Sequence, residues 1–418
     1  MTAAYAAIDF GTSNSAVFVG DQAQGQLVAL EQGKSTMPTA VFFNAEERSI
    51  VFGRQAVSEY QAAYPGRLMR SLKSLLGSEL MRETTLINGK AVAYRDILAH
   101  FLTHLKQTAE QQCGRELQQL VLGRPVFFVD DDPVRDADAQ NTLADIARSV
   151  GYTDVQFQYE PIAAALDYES QLTRETLVLV ADIGGGTSDF SLIRLGPERA
   201  KLKDRSADVL ANGGVHIAGT DFDQQLSITA VMPALGLGGL TRNGKPIPAH
   251  LYFELATWHR INLLYVPQTL AAAEAMRTIF KDERAHTRLM RVLREREGHR
   301  LAGEVEAAKV AVAETGTALI DMGFVEENLN APLNATQLQQ ALAQGLSKIA
   351  QVAQRTVADA GLKPSDVQAL YFTGGSTGLV GLRAAIAEGF PQAEIVVGEA
   401  FASVAKGLGV HARNLFGS

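Results

Sequence analysis

One short pattern occurs twice in this chain, and it constrains the fold more than any other feature. An apolar run ends in Asp9-Phe10-Gly11-Thr12-Ser13, and a second ends in Asp182-Ile183-Gly184-Gly185-Gly186-Thr187, 173 positions later (182 − 9). In each copy the Asp precedes a turn of Gly and small hydroxyl residues, and another apolar segment follows, which is typical of a β-hairpin. The repetition predicts a duplicated half-domain with one such hairpin in each half.

Both turns have the composition of a phosphate-binding loop. Glycine lets backbone N–H groups approach an anion without a side chain in the way. Two such turns facing each other would hold a polyphosphate from both sides, and Asp9 and Asp182 would hold a hydrated metal ion between them. The alternative is a pair of ordinary hairpins with polar turns.

Two other nucleotide-binding motifs are excluded by single residues. A P-loop that ends at Gly33-Lys34-Ser35 requires a glycine where Val28 stands. A dinucleotide-binding fingerprint that starts at Gly184 requires a glycine where Asp189 stands.

Composition and charge exclude several classes of protein. The net charge of −8 gives no general attraction to nucleic acid or anionic membranes, and no run of 18 apolar residues occurs. Cys113 is the only cysteine, so no intramolecular disulfide can form, and the N-terminus lacks a signal-peptide pattern. We therefore expect a cytoplasmic protein that binds neither nucleic acid nor membranes.

Predicted strands alternate with predicted helices in two similar halves. This alternation favours a two-lobed α/β protein with a cleft between the lobes. We expect lobe I to comprise residues 1–171, with an inserted subdomain at about 39–105. Lobe II is expected over residues 172–418, with an inserted helical subdomain at about 224–330.

Two charged residues are candidates for a catalytic role. Glu160 precedes Pro161 at the start of a predicted helix, where it would either aim at a metal-bound water or stabilise the helix N-terminus. Lys73 lies in a half-apolar segment, and a lysine in that setting is usually a surface residue whose stem packs on the protein.

Three further patterns each have two interpretations. Gly374-Gly375-Ser376 lies between a predicted strand and a helix, so it either admits the base or ribose of a nucleotide or is a plain turn. Glu306 and Lys309 have the i, i+3 spacing of a surface ion pair. His100 and His104 have the spacing of metal ligands, but their neighbours favour a packed helix face.

The long segment from Thr241 to Arg300 is predicted to project from lobe II as a largely helical insertion, whose deletion would leave nucleotide binding intact. This segment carries a stripe of cationic side chains. Such a stripe is usually a solvated face, and the alternative is a surface for a protein or other anionic partner. The stripe consists of five cationic residues at helical spacing: Arg277, Lys281, Arg284, Arg288 and Arg291.

Taken in order, the motifs resemble those of the nucleotide-binding domain of the heat-shock protein 70 (DnaK-like) chaperones, within the actin–hexokinase superfold. The resemblance covers nearly the whole chain and looks closest to the YegD-type putative chaperones. Besides the two turns, it rests on Lys73 before Gly77, Tyr159-Glu160-Pro161-Ile162-Ala163-Ala164-Ala165, Gly219-Thr220-Asp221-Phe222-Asp223, Glu306-Ala307-Ala308-Lys309 and Thr373-Gly374-Gly375-Ser376-Thr377.

The resemblance implies an actin-like ATPase fold made of duplicated ribonuclease-H-like domains, with ATP or ADP and Mg2+ as cofactors and Asp9 and Asp182 at the metal. The implied catalytic residues are Lys73, Glu160, Asp182 and Thr187. The implied phosphate-binding residues are Gly11, Thr12, Ser13, Gly184, Gly185, Gly186 and Thr187. The implied adenosine-binding residues are Gly219, Glu306, Lys309, Gly374, Gly375 and Ser376.

The base end of the motif set departs from the family pattern. Two arginines that sandwich adenine in the family are replaced here by Val310 and Gly378, a serine near the base by Ala313, and an aspartate of the last connecting helix by Phe401. The loss of two stacked cations puts the affinity for ATP, or the choice of base, in question.

The family normally continues into a peptide-binding β-sandwich, and this sequence ends after the last connecting helix, so we expect no peptide clamping of the usual kind. The sequence favours a Mg2+-dependent ATP-binding protein related to chaperones, with slow ATPase activity and an unidentified protein partner. The alternatives are a nucleotide sensor that does not hydrolyse ATP and, less favoured, a small-molecule kinase of the same superfold.

Overall fold

The computed structural model describes residues 4–129, 132–202, 204–398 and 402–417, which form a mixed α/β structure. The strands of the first half are β1 (Tyr5–Phe10), β2 (Asn14–Gly20), β3 (Gly25–Leu27), β4 (Thr36–Pro38), β5 (Ala40–Asn44), β6 (Ile50–Phe52), β7 (Gly66–Arg70), β8 (Thr84–Ile87), β9 (Lys90–Ala93), β10 (Gln119–Arg124) and β11 (Asp154–Tyr159). Those of the second half are β12 (Thr176–Ile183), β13 (Ser188–Leu195), β14 (Val209–Val215), β15 (Thr317–Asp321), β16 (Asn330–Asn334), β17 (Ala369–Thr373) and β18 (Glu394–Val397).

Helices separate and cover these strands. The α-helices are α1 (Gly53–Gln61), α2 (Tyr94–Cys113), α3 (Pro133–Ser149), α4 (Glu160–Ala164), α5 (Leu166–Gln171), α6 (Gly219–Leu226), α7 (His250–Ala256), α8 (Pro267–Ala275), α9 (Glu283–Arg294), α10 (Gly298–Thr315), α11 (Ala335–Asp359), α12 (Val380–Ala387) and α13 (Ser403–Phe416). The 3-10 helices are Leu72–Leu75, Glu79–Arg82, Arg199–Lys201, Ser206–Asp208, Met232–Leu235, Trp258–Tyr265, Met276–Thr278, Pro364–Asp366 and Gly375–Gly378, and a π-helical turn covers Ser227–Val231. Within the described ranges, no helix has both the length and the apolar composition needed to cross a bilayer.

Two central sheets have the same arrangement of strands. The first has the order β11-β10-β1-β2-β3, with β4 also paired to β2, and the second has the order β14-β13-β12-β17-β18. In each sheet the repeated motif lies on an antiparallel hairpin, β1–β2 or β12–β13, and the first strand of that hairpin also pairs in parallel with a later strand. The predicted fold class, the duplicated actin-like α/β fold, is confirmed.

Successive side chains of a strand point to opposite faces of the sheet. In the hairpin strands the side chains on both faces are buried. In β1, Ala6 and Ile8 belong to a core shared with α2 and α3, whereas Tyr5 and Ala7 belong to a different core. The strand β12 is divided in the same way. Each sheet therefore has one face covered by its own helices and one face in a core common to both.

The common core joins the two sheets through the helices α4 and α13. It contains Tyr5 and Val121 from the first sheet, Val178 from the second, and side chains from both helices. A Cβ atom on Gly407 of α13 would lie 1.9 Å from the carbonyl oxygen of Ala163 in α4. The close crossing of the two helices therefore requires glycine at this position.

Between β4 and α2, the chain forms the small sheet β6-β5-β7 against α1 and the hairpin β8–β9. His104 of α2 stacks on Phe52 at 4.4 Å between ring centroids, and His100 is exposed. His104 therefore belongs to a packed helix face, as the sequence indicates, whereas His100 does not.

The segment from Thr241 to Arg300 is largely helical, as predicted, but it is not a projecting appendage. Its buried side chains, including Phe280 and Leu289, belong to the same core as Leu179 and Phe190 of the second sheet. A deletion would remove part of that core, so the expectation that nucleotide binding survives the deletion is withdrawn.

The cationic stripe predicted within this segment is discontinuous. Asp282 accepts hydrogen bonds from the first backbone amides of α9, so the helix begins at Glu283, after Lys281 and Arg277. Arg284 and Arg288 both form ion pairs with the carboxylate of Glu326, and Arg291 donates to the carbonyl oxygen of Val325. Three of the five cations of the stripe therefore have partners within the chain.

Candidate functional site

The two repeated turns face each other across the cleft between the sheets. The hydroxyl oxygen of Ser13 lies 3.0 Å from the point that a Cβ atom on Gly185 would occupy. Ser13 belongs to the first turn, with Gly11 and Thr12, and Gly185 belongs to the second, with Gly184, Gly186 and Thr187. The structure thus brings the two turns predicted to bind phosphate into contact.

The acidic side chains of Asp9 and Asp182 lie close to those of Glu160 and Asp189, next to the two turns. The pKa of Asp9 is raised to about 8, mainly by burial and next by the negative charge of Glu160, against the opposing charge of Lys73. The pKa of Asp182 is raised to about 7 by burial and by the charges of Asp189 and Glu160. Because both carboxyl groups resist ionisation in the absence of a cation, the site favours a bound positive charge.

Asp189 is a member of this acidic group that sequence reasoning did not select. It lies opposite Asp182 in the β12–β13 register, and it accepts a 2.8 Å hydrogen bond from the hydroxyl group of Thr187. Burial raises its pKa, which the bond from Thr187 and the charge of Lys73 lower. Its place at the end of the second motif, one residue into the hairpin strand, is the signal that would have identified it.

Lys73 and Glu160 form a buried ion pair between two separate elements. The distance from Lys73 Nζ to Glu160 Oε1 is 2.5 Å, and the side chains are 9% and 14% exposed. Lys73 lies in the 3-10 helix that follows Ser71, whose φ of 54° is in the left-handed region. The expectation from its setting, that Lys73 is a surface lysine, is wrong, because this turn directs it inward to the charge of Glu160.

The loop around Gly374 contacts the second turn directly. Gly374 has φ 90°, and a Cβ atom there would lie 2.5 Å from the carbonyl oxygen of Ile183 and 2.6 Å from Asp182 Oδ1. Ser376 Oγ donates to the carbonyl oxygen of Gly184 at 2.7 Å. The segment Gly374-Gly375-Ser376 is therefore part of the site rather than a separate turn, and glycine is required where it approaches Asp182.

Lys309 is placed beside the same loop system. Its ammonium group lies 2.7 Å from Asp223 Oδ1 and donates to the carbonyl oxygen of Gly219 at 3.4 Å. Burial raises the pKa of Asp223 to about 6, against the opposing charge of Lys309. The i, i+3 surface pair is not formed, since Lys309 points inward and Glu306 is exposed on α10.

Two of the positions predicted to lie near the base are open to solvent. The side chain of Val310 is exposed on α10, and a Cβ atom on Gly378 would meet no atom within 4 Å. Ala313 packs partly against the core of the second half. Phe401 lies outside the residues that the structure describes.

Four side chains form a cluster that joins the two halves and that the sequence did not reveal. Tyr60 and Arg70 come from the first half, and Trp258 and His299 from the second; we refer to them as the bridging cluster. The guanidinium carbon of Arg70 lies 4.4 Å from the ring centroid of Trp258, and the rings of Tyr60, Trp258 and His299 lie 4.9–5.4 Å apart. Asn262 also donates to the carbonyl oxygen of Tyr60 at 3.4 Å.

The acidic group fits a hydrated magnesium ion better than a metal held by protein alone. In the part of the chain that the structure describes, no three His, Cys, Asp or Glu side chains are grouped so as to hold a metal ion. Mg2+ usually keeps several waters and binds through one or two carboxylates and the phosphates of a substrate. Asp9 and Asp182 provide that pair of carboxylates beside the two turns.

Comparison with known families agrees with this arrangement. Residues 5–232 match the model of the family described as Hsp70 protein. The match covers 228 residues (232 − 5 + 1), more than half of the 418. It includes both turns, Lys73, Glu160 and Gly219, whereas the finer resemblance to the YegD-type branch stays a prediction.

Proposed function

The chain belongs to the Hsp70 protein family, and we propose that it binds ATP with Mg2+ and hydrolyses it slowly. Nucleotide binding and a relation to chaperones follow from the family. The observation that carries the proposal is the pair of opposed turns, with the buried pair of Lys73 and Glu160 beside them. Catalysis of phosphoryl transfer depends on positioning and on stabilisation of charge, which these groups supply.

The residues act in three places. Backbone amides and hydroxyl groups of the two turns would hold the phosphates. Asp9 and Asp182 would hold a hydrated metal ion, whose charge would offset that of the phosphate oxygens. Glu160 and Thr187 orient the attacking water, and Lys73 stabilises charge that develops on the transferred group. Thr187 already donates to Asp189, so its oxygen accepts the hydrogen bond from that water.

The adenosine end is held by loops rather than by stacked cations. Gly219, Gly374, Gly375 and Ser376 surround the second turn, and Lys309 with Glu306 lies on the adjacent helix. With Val310 and Gly378 at this end, the base is held less tightly than the phosphates, so discrimination between ATP and GTP is weak.

Calorimetric titration with ATP, GTP and ADP, with and without Mg2+, tests binding, and single-turnover hydrolysis of ATP tests catalysis. Glu160→Gln should reduce the hydrolysis rate by about 10²–10⁴-fold, with little change in affinity, because it removes the carboxylate that orients water. Glu327→Gln, at an exposed position, is the matched control. If the wild-type protein does not bind ATP in a Mg2+-dependent way, the proposal is overturned.

Binding without hydrolysis would favour the nucleotide-sensing alternative. In that case closure of the two halves around the nucleotide would be the signal, and a protein partner would detect it. ADP release that depends on an added small-molecule acceptor would favour the kinase alternative.

A further inference from the structure

Thr39 is a buried residue that fixes the backbone of the first turn. Its hydroxyl group donates to the carbonyl oxygen of Gly11 at 2.7 Å, and its backbone N–H donates to the carbonyl oxygen of Ser13 at 2.9 Å. Thr39 is 1% exposed and lies between β4 and β5, outside the turn itself. One residue thus holds two carbonyl groups of the predicted phosphate-binding loop.

Hydrogen-bond capacity determines the direction of the next contact. Thr39 has one hydroxyl hydrogen, which it donates to Gly11, so Ser15 Oγ is the donor in its 2.8 Å contact with Thr39 Oγ1. Ser15 is also 1% exposed. The order is Ser15 to Thr39 to Gly11, a buried chain of hydrogen bonds in which each bond polarises the next.

Holding the carbonyl groups determines where the amide groups point. In a planar trans peptide, the C=O of one residue and the N–H of the next point in opposite directions. Because the carbonyl groups of Gly11 and Ser13 point toward Thr39, the N–H groups of Thr12 and Asn14 point away from it. Fixed amides of this kind form an anion-binding concavity.

The second turn is held in the same way from the adenosine side. Ser376 donates its hydroxyl hydrogen to the carbonyl oxygen of Gly184 at 2.7 Å, and Thr220 donates its hydroxyl and its N–H to that of Gly185, both at 2.8 Å. The amides of Gly185 and Gly186 are therefore directed away from these donors. Both turns have their carbonyl groups held by hydroxyl side chains from neighbouring segments.

We infer that Thr39 is a positioning residue for phosphate binding, which acts through the backbone of Gly11 to Ser13 and touches no ligand itself. The inference rests on the proposed function, because it assumes that these turns bind the phosphates of a nucleotide. It predicts a loss of affinity that depends on the phosphates and not on the adenosine part.

The test compares Thr39→Val, which keeps the shape and removes the hydroxyl group, with Thr39→Ser, which keeps the hydroxyl group. Dissociation constants are measured for MgATP by calorimetry and for adenosine by ligand-observed NMR, at a temperature where all variants are folded. Thr39→Val should weaken MgATP binding about tenfold, the effect of losing one buried hydrogen bond. It should leave adenosine binding unchanged, and Thr39→Ser should bind MgATP as the wild type does.

A purely structural role would lower the melting temperature of Thr39→Val without changing the ratio of the two affinities. Unchanged MgATP affinity, or an equal loss for MgATP and adenosine, overturns the inference while the proposed function stands. A wild-type protein that binds no MgATP overturns both. If Thr39→Val does not fold, Thr39→Ala, which also removes the hydroxyl group, must show the same phosphate-dependent loss, and normal MgATP binding by that variant overturns the inference.

Discussion

Protonation of His299 should destabilise the bridging cluster. His299 is 4% exposed, and neither of its ring nitrogens has a hydrogen-bond partner among the described residues. Burial, with a smaller effect from the charge of Arg70, lowers its pKa to about 4 from an ordinary value of 6.5. The folded protein therefore resists protonation, so the contribution to stability is complete above pH 6.5 and is lost as the pH falls toward 4.

The size of the effect follows from the two pKa values. Between pH 7.5 and pH 5.0, the unfolded chain takes up a proton at this position that the folded chain excludes. A folded pKa of about 4 and an unfolded pKa of 6.5 then lower the free energy of unfolding by about 2 kcal/mol over that interval. His299→Phe keeps an aromatic ring at this position and removes the titration.

Urea unfolding of wild type and His299→Phe at both pH values measures this difference. The emission maximum of Trp258, the only tryptophan in the chain, reports exposure of the bridging cluster itself. Other titrating groups contribute equally to both proteins, so the wild type should lose about 2 kcal/mol more than the variant. His100→Gln, at an exposed position, should behave as the wild type. Equal losses in wild type and His299→Phe would refute the reasoning.

Three further changes should affect the nucleotide site. Asp9→Asn and Asp182→Asn should each abolish the Mg2+ dependence of ATP binding, and the double variant should be little worse, because both carboxylates act on one ion; wild-type behaviour of both single variants would contradict this. Val310→Arg combined with Gly378→Arg should tighten ATP binding by about 1–4 kcal/mol, at about 0.5–2 per stacked cation, and an unchanged dissociation constant in calorimetry would place the base elsewhere. Trp258→Leu should speed ADP release in stopped-flow measurements, since it removes the stacking surface of the bridging cluster, and an unchanged rate would show that the cluster does not restrain opening.

The parts of the fold that depend on local sequence were predictable. Both hairpins occur where turn glycines separate apolar runs, since turn chemistry and strand alternation are short-range properties. The helix α11 begins at Ala335 because Asn334 accepts a hydrogen bond from the backbone of Gln337, whose side chain accepts one from the backbone of Asn334 in return.

The parts of the structure that depend on contacts between residues distant in the sequence were not predictable. Lys73 and Lys309 have the sequence setting of surface residues, and only partners 87 and 86 positions away, Glu160 and Asp223, make them internal (160 − 73; 309 − 223). The stripe that begins at Arg277 has helical spacing, but a cap at residue 282 starts the helix later. The spacing of lysine and arginine residues along a chain does not show which carboxylate each one pairs with in the folded structure.

The common core has a consequence for the time at which the protein can fold during synthesis. The rings of Tyr5 and Phe416 lie 6.3 Å apart, although 411 positions separate them (416 − 5). Translation at roughly 5–20 residues per second takes about 20–80 s to cover that distance. For all of this time the face of β1 that carries Tyr5 and Ala7 lacks the helix α13 that covers it, so the nascent chain presents an apolar sheet face until α13 leaves the ribosome.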